Sequence, residues 1–233
     1  MRTRIAAVAA AVLALFIGAG VVGITAPASA LSPGVSFAAD DQSTWQTNGT
    51  VYALGAAGGK VVAGGTFSQI RPPAGRSDAA RARNALVILD AETGEPDACQ
   101  FAVTLSGGTP TVRAIAVSAD QSRVYVAGNF STIGGVNVAR IAVLDVQACT
   151  VAPFRAPLPG STVTALATHG NVLYAGGLFK TVGGQTREAF AAFDATTGAL
   201  LPWTANAVRG RTDLPKEVNE GRAIAVSPDG AKV

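Results

Sequence analysis

Val112-Arg-Ala-Ile-Ala-Val-Ser118 returns, nearly letter for letter, as Gly221-Arg-Ala-Ile-Ala-Val-Ser227. The first copy runs through Ala119-Asp120 into Arg123-Val-Tyr-Val-Ala-Gly-Asn-Phe130, and the second through Pro228-Asp229-Gly230 to Lys232-Val233. Repetition at this spacing marks a chain built from stacked supersecondary units.

Working outward, each unit opens with an alternating strand: Val51-Tyr-Ala-Leu54, Val112–Val117, Val163-Thr-Ala-Leu-Ala167 and Arg222–Val226. A tight turn rich in Gly, Asn or Asp follows, of the kind that joins antiparallel strands. A second strand ends in Phe67, Phe130 and Phe179, with Gly-Gly shortly after in two copies (Gly134-Gly135, Gly183-Gly184). A third strand ends in Asp90, Asp145 and Asp194, and a short fourth is read as carrying Phe101, Phe154 and Trp203. The Phe landmarks are 63 and 49 residues apart, and the Asp landmarks 55 and 49. Four short strands rich in Val, Ile, Tyr and Phe per 40–50 residues are the blade of a β-propeller. The fold expected is therefore all-β: about three four-stranded antiparallel blades and the start of a fourth, a propeller incomplete at its C-terminal end. The Gly pairs are read as belonging to its tapering centre, where backbones approach closely. Trp45, six residues before Val51, reads as a fourth-strand aromatic that completes the last blade and so removes open edges.

The first thirty residues form a separate object. Arg2 and Arg4 precede an uncharged, almost wholly apolar stretch from Ile5 to Thr25, and Ala28-Ser29-Ala30 is a small-x-small cleavage site. That is the layout of a secretory signal peptide, leaving residues 31–233 as the propeller region; an uncleaved anchor is the alternative. The net charge of +3 falls to +1 without Arg2 and Arg4. With no Lys/Arg cluster, nothing here recommends nucleic acid or, once the leader is cut, a membrane as partner. Export implies an extracellular or cell-surface location, where disulfides persist. Cys99 and Cys149 are then a candidate bridge, worth about 4 kcal/mol in the chain-entropy model. It requires Cα atoms within about 7 Å, and two inert buried thiols are the other reading.

The Val124-Tyr-Val-Ala-Gly-Asn-Phe-Ser-Thr-Ile-Gly-Gly135 and Arg140-Ile-Ala-Val-Leu-Asp145 pattern resembles the secreted, delta-60-type β-propeller repeat proteins common in actinobacteria. Leu173–Gly184, Asp194-Ala-Thr-Thr-Gly198 and Pro202-Trp203 repeat it. The resemblance covers about residues 40–233. It implies export and a role beside adhesive or carbohydrate-binding modules, and it brings no catalytic motif. The first unit departs by an insertion in place of its Gly-Gly, and the second by Cys149 in place of the Thr-Gly turn.

No residue set identifies a reaction, a cofactor or a metal site. The recurrent Asp90, Asp145 and Asp194 read as caps of the following turns. His169, the only histidine, falls in a turn with no zinc-ligand spacing around it. Trp45, Phe101, Phe154 and Trp203 suit packing between blades better than a sugar platform. Arg83, Arg140 and Arg187 precede or open third strands, with Arg140 out of register. Function on a rigid scaffold tends to reside in loops, so two insertions are the candidates. Arg71-Pro-Pro-Ala-Gly-Arg-Ser-Asp-Ala-Ala-Arg-Ala-Arg83 offers Arg71 and Arg76; Val208–Glu220 offers Arg209, Arg211 and Lys216. The expected role is a secreted scaffold binding an extracellular protein or polysaccharide. A catalytic or accessory propeller of a carbohydrate-active or quinone-dependent enzyme, and a structural cell-surface spacer, stand as alternatives.

Overall fold

The outer strands read Leu86-Val-Ile-Leu-Asp90, Ile141-Ala-Val-Leu-Asp145 and Phe190-Ala-Ala-Phe-Asp194, apolar at every position before the Asp. A strand of that kind must be covered on both faces, and the blades supply the cover. The computed structural model describes residues 44–158, 160–205 and 220–233, all within the unit Gln42–Val233. The leader and its cleavage site lie outside the described residues, as do Arg209, Arg211 and Lys216.

The first blade has an inner strand Val51–Ala57, a middle strand Lys60–Gly65 and an outer strand Leu86–Asp90. The second has Thr111–Val117, Val124–Asn129 and Ile141–Asp145, and the third Thr162–His169, Val172–Leu178 and Phe190–Asp194. All pairs are antiparallel. Fourth strands are short: Thr150–Val151 pairs with the second blade, while single bridges Leu89↔Pro96 and Phe193↔Leu200 serve the other two. The aromatics assigned to fourth strands lie just beyond them, where the chain crosses to the next blade.

One irregularity recurs in every blade. The inner strand bulges between Val51 and Ala53, Val112 and Ala114, and Val163 and Ala165. Opposite the bulge stand Gly65, Gly128 and Gly177, where a Cβ would collide with the carbonyl oxygens of Thr50, Thr111 and Thr162. These, and not the Gly pairs, are the close backbone approaches. Gly134-Gly135 (φ 54° and 79°) and Gly183-Gly184 (φ 55° and 77°) instead close small outlying hairpins, with the two positive φ angles of a type I′ turn. A second recurrence precedes each outer strand: Ala85, Arg140 and Ala189 have φ of 60°, 67° and 64°, and their carbonyls accept from the N–H of Gly65, Gly128 and Gly177.

Alternate residues of each sheet face the preceding and the following blade. Val62, Leu86 and Ile88 meet Val124, Val126 and Leu144 across the first seam, with Phe101 and Phe130 between them. Tyr125 and Val143 meet Leu173 and Phe193 across the second, with Phe154 and Phe179. Each lead-in segment docks on the hairpin of the blade it enters. Val103–Thr104 pairs with Thr132–Ile133, and Gln46–Thr47 pairs with Gln69–Arg71. Trp45, buried with Phe67, Ile70 and Val87, is therefore the lead-in aromatic of the first blade, as Phe101 is of the second. That corrects its reading as part of a last blade.

Cys99 and Cys149 form a disulfide with Cα atoms 5.4 Å apart. The two occupy different places in the repeat, which is why they can meet. Cys149 (φ 54°) stands where the other blades have Gly94 (φ 70°) and Gly198 (φ 82°). Cys99 lies in the lead-in of the second blade, which is two residues longer between fourth strand and aromatic than the Pro153-Phe154 and Pro202-Trp203 crossings.

Candidate functional site

The insertion begins where the second and third blades turn back on two glycines. In the first blade Gln69–Arg71 pairs with Arg81–Ala82, and residues 72–80 extend beyond. Proline at 72 and 73 fixes φ and removes two N–H donors, so the excursion cannot continue as a ladder. Arg76 closes it back onto the blade, ion-paired to Glu95 and, at 2.8 Å, to Asp78. Glu95 also accepts the Trp45 indole N–H at 3.0 Å. The Arg76 hydrogen bond, reinforced by that of Trp45, holds the Glu95 carboxyl below the usual carboxylate range. Arg81 stacks over the Trp45 ring, its Cζ 4.5 Å from the centroid, a cation–π placement.

The two candidate arginines of this loop therefore differ. Arg71 is exposed at the end of its strand. Arg76 is committed to Glu95 and Asp78 and anchors the loop. Elsewhere on the same blade the Lys60 ammonium meets Asp97 at 2.9 Å.

On the side of the inner–middle turns, the second and third blades meet at a polar cleft of about 330 Å³ lined by Ser118, Asp120, Ser122, Arg123, Asn171 and Thr196. Its groups are already matched. The Arg123 guanidinium donates to Thr196 Oγ1 (3.1 Å), Thr196 Oγ1 to Asn171 Oδ1 (3.0 Å) and Asn171 Nδ2 to Asp194 Oδ2 (2.6 Å). Asp120 accepts from the Ser118 and Ser122 hydroxyls at 2.6 and 2.8 Å, which hold its carboxyl at about 2. The cleft ties two blades together. Across the first seam Gln147 Nε2 donates to the Gly58 carbonyl at 2.6 Å in the same sense.

Asp90, Asp145 and Asp194 do what their recurrence implied. One carboxylate oxygen of each accepts two backbone N–H groups of the following turn, at 2.7–3.0 Å. His169 is exposed at the end of its strand, with Gly230 beside it. Among the described residues no group of three or more His, Cys, Asp or Glu could hold a metal ion. Arg187 is buried and donates to the Leu201 carbonyl at 3.2 Å. Val138 takes the backbone position of Arg83 and Arg187 in the second blade, bonding to Ser131 as they do to Ser68 and Lys180. Arg140, two residues on, instead donates from its side chain to the Phe130 carbonyl at 3.1 Å.

The blades from the first outer strand onward are matched by a known domain. Residues 86–226 fit the Rax2 C-terminal β-propeller domain. The chain belongs to this family. The match opens on the first outer strand and closes on the repeated Arg222–Val226 segment. Among solved structures, the computationally designed Ika4 protein is similar at 17% identity over 69% of this chain and 75% of its own, with a TM-score of 0.42. The RRP9 WD40 repeats are similar at 10% identity over 68% of this chain, with a TM-score of 0.42; the match spans 40% of their length. U3-55K is similar at 12% identity over 70% of this chain and 42% of its own, with a TM-score of 0.39. No curated protein matches.

Proposed function

We propose that this member of the Rax2 propeller family is an exported, delta-60-type scaffold that binds an extracellular protein or polysaccharide through its loops. The observation that carries the reading is the 72–80 excursion. At the place where its sister blades make two-residue turns, the first blade extends a loop, holds it with Arg76, Glu95 and Trp45, and leaves Arg71 exposed. A loop fixed on a rigid sheet presents a contact surface at little ordering cost. Export is supported by the leader layout and by a disulfide pair, which persists in oxidising compartments.

The test replaces residues 71–80, which lie between the paired Ile70 and Arg81, with Gly-Gly, the turn of the other blades. Native and trimmed proteins are then incubated with washed cell walls and with the extracellular protein fraction of the source cells. The native protein is expected to be retained by one of the two, and the trimmed form at least tenfold less. Equal retention would remove this loop from the binding surface. N-terminal sequencing of secreted material, expected to start at Leu31, tests export separately.

A further inference from the structure

The bulge of each inner strand holds one residue that the ladder does not pair. Val51 pairs with Gly65 and Ala53 with Gly64, so Tyr52 is left over. Arg113 and Thr164 are left over in the same way, between Val112 and Ala114 and between Val163 and Ala165. The residues around them alternate between the two seams: Val112 and Ile115 face the first blade, Ala114 and Ala116 the third. The extra residue belongs to neither face. It stands on the free edge of the inner strand, since the other edge pairs with the middle strand. Neighbouring inner strands lie side by side, so these edges together form the hub of the blades. A bulge re-aims a side chain in this way, often beside a functional site.

The extra position is also where the repeats differ. Val51-Tyr-Ala53, Val112-Arg-Ala114 and Val163-Thr-Ala165 keep the flanking residues and change the middle one. Such a change alters the chemistry of the hub and leaves the packing alone. Arg113 has the first blade on one side and the third on the other, and it is nevertheless exposed. Its Cζ lies 5.3 Å from the centroid of the Tyr52 ring, a cation–π placement that orients the planar fork without consuming its five N–H donors. Among the described residues no carboxylate pairs with it. Thr164, on the next edge, donates its hydroxyl proton to the Gly221 carbonyl at 2.5 Å and keeps its oxygen lone pairs. The fourth copy has Arg222 at this place, ion-paired to Glu220 at 2.7 Å.

We propose that the hub carries a binding site, centred on Arg113, for the carboxylate of a uronic acid unit in an acidic polysaccharide. A guanidinium recognises a carboxylate through two parallel N–H···O bonds, and the hydroxyls of Tyr52 and Thr164 on the neighbouring edges suit those of a sugar. An acidic protein segment would seat an apolar or aromatic anchor in a pocket beside the charge, whereas the bulge positions flanking Arg113 both bear hydroxyls. The site is separate from the 72–80 loop and independent of export.

The experiment titrates the full chain with a short oligogalacturonate and, separately, with its methyl ester, which has the same ring hydroxyls and no charge. Calorimetry is expected to give a Kd on the order of 100 μM for the acid. The Nε–H resonance of Arg113, assigned by its loss in Arg113→Gln, is expected to shift on binding. Arg113→Gln is expected to lose about tenfold in affinity, and Arg113→Lys most of that, since an ammonium keeps the charge but not the fork. Both are expected to leave the guanidinium chloride unfolding midpoint unchanged. The form trimmed at residues 71–80 is expected to bind the oligogalacturonate as the native protein does, so that the hub and the loop are read independently. No binding up to about 10 mM oligogalacturonate, equal binding of the methyl ester, undiminished affinity in Arg113→Gln, loss of binding in the trimmed form, or tighter binding of poly-glutamate of equal charge would each overturn the proposal.

Discussion

At the scale of single residues, the repeat is held by short polar turns and by glycines that cannot be enlarged. Asp120 shows the first. Its carboxyl is held at about 2, against an ordinary 3.8, chiefly by the Ser118 hydroxyl and then by Ser122. A carboxyl whose folded value is depressed contributes stability above its ordinary value and loses it as pH falls towards the folded one. The contribution is thus complete above about pH 4 and fades towards pH 2. Ser118→Ala is expected to raise the Asp120 midpoint, read by carbon-detected NMR titration; an unmoved midpoint would show that Ser118 is not the cause. Gly128 shows the second. Its Cβ would press on the Thr111 carbonyl at the bulge, and Gly128→Ala is expected to cost about 1–3 kcal/mol in chemical unfolding, the range for overpacking. A loss under about 0.5 kcal/mol would mean that the inner strand yields. The requirement at 65, 128 and 177 was half-visible in sequence, since each Gly stands two residues before its Phe. Ala85 and Ala189 were not visible, because alanine carries no turn signal and only the structure shows their left-handed backbone.

At the scale of elements, the lead-ins decide how blades join. Each crosses the outer turn of the blade it enters, by a different device. In the first blade a Cβ on Gly94 would lie 2.7 Å from Thr44 Cγ2, and in the third the Arg155 N–H donates to Thr197 O at 3.0 Å. The second uses the Cys99–Cys149 bond. Replacing the pair by Cys99→Ser and Cys149→Gly opens a loop worth about 4 kcal/mol in the chain-entropy model. Glycine at the positive φ of position 149 returns about 1–2 kcal/mol of backbone strain, so a net loss of about 2–3 kcal/mol is expected from guanidinium unfolding. No loss would make the disulfide ornamental. The pair was legible as a candidate, but its geometry was not: the two extra residues ahead of Phe101 became meaningful only once Cys149 was seen at a glycine position. Trp45 was misplaced for a related reason. Periodicity marks it as a lead-in aromatic and says nothing about which hairpin its neighbours pair with. Arg76 stood as a candidate binding residue because its partner Glu95 lies 19 residues away and meets it only through the fold. With Arg76→Ala the loop loses its closure, and trypsin is expected to cut after Arg81 or Arg83 several times faster, while Tm stays close to that of the native protein. Unchanged cleavage would show that Arg81 over Trp45 suffices.

For the whole molecule, repetition means that each blade derives its stability from its own packing and from its neighbours. The same residues must then behave differently according to what covers them, and the chain contains a matched pair for measuring this. Residues 112–118 and 221–227 share Arg-Ala-Ile-Ala-Val-Ser, so intrinsic exchange rates, side-chain sizes and strand propensities are almost the same in both. In the first, the backbone is paired with Val124–Asn129, and Val112 and Ala114 are 0% and 6% exposed. In the second, Gly221 and Ser227 hold the two ends through backbone hydrogen bonds, and the residues between are half-buried or exposed. Opening free energy follows burial and hydrogen bonding rather than local sequence. In a polypeptide of residues 1–233, hydrogen exchange is expected to be slower in 112–118 than in 221–227 by at least a hundredfold, with 162–169 close to 112–118. If both copies were equally protected, strand propensity and not pairing and burial would set the protection of this segment. If both exchanged fast, the central blade would owe little to its neighbours, and the two seams around Phe130 and Phe154 would lose their standing as the source of the fold's stability.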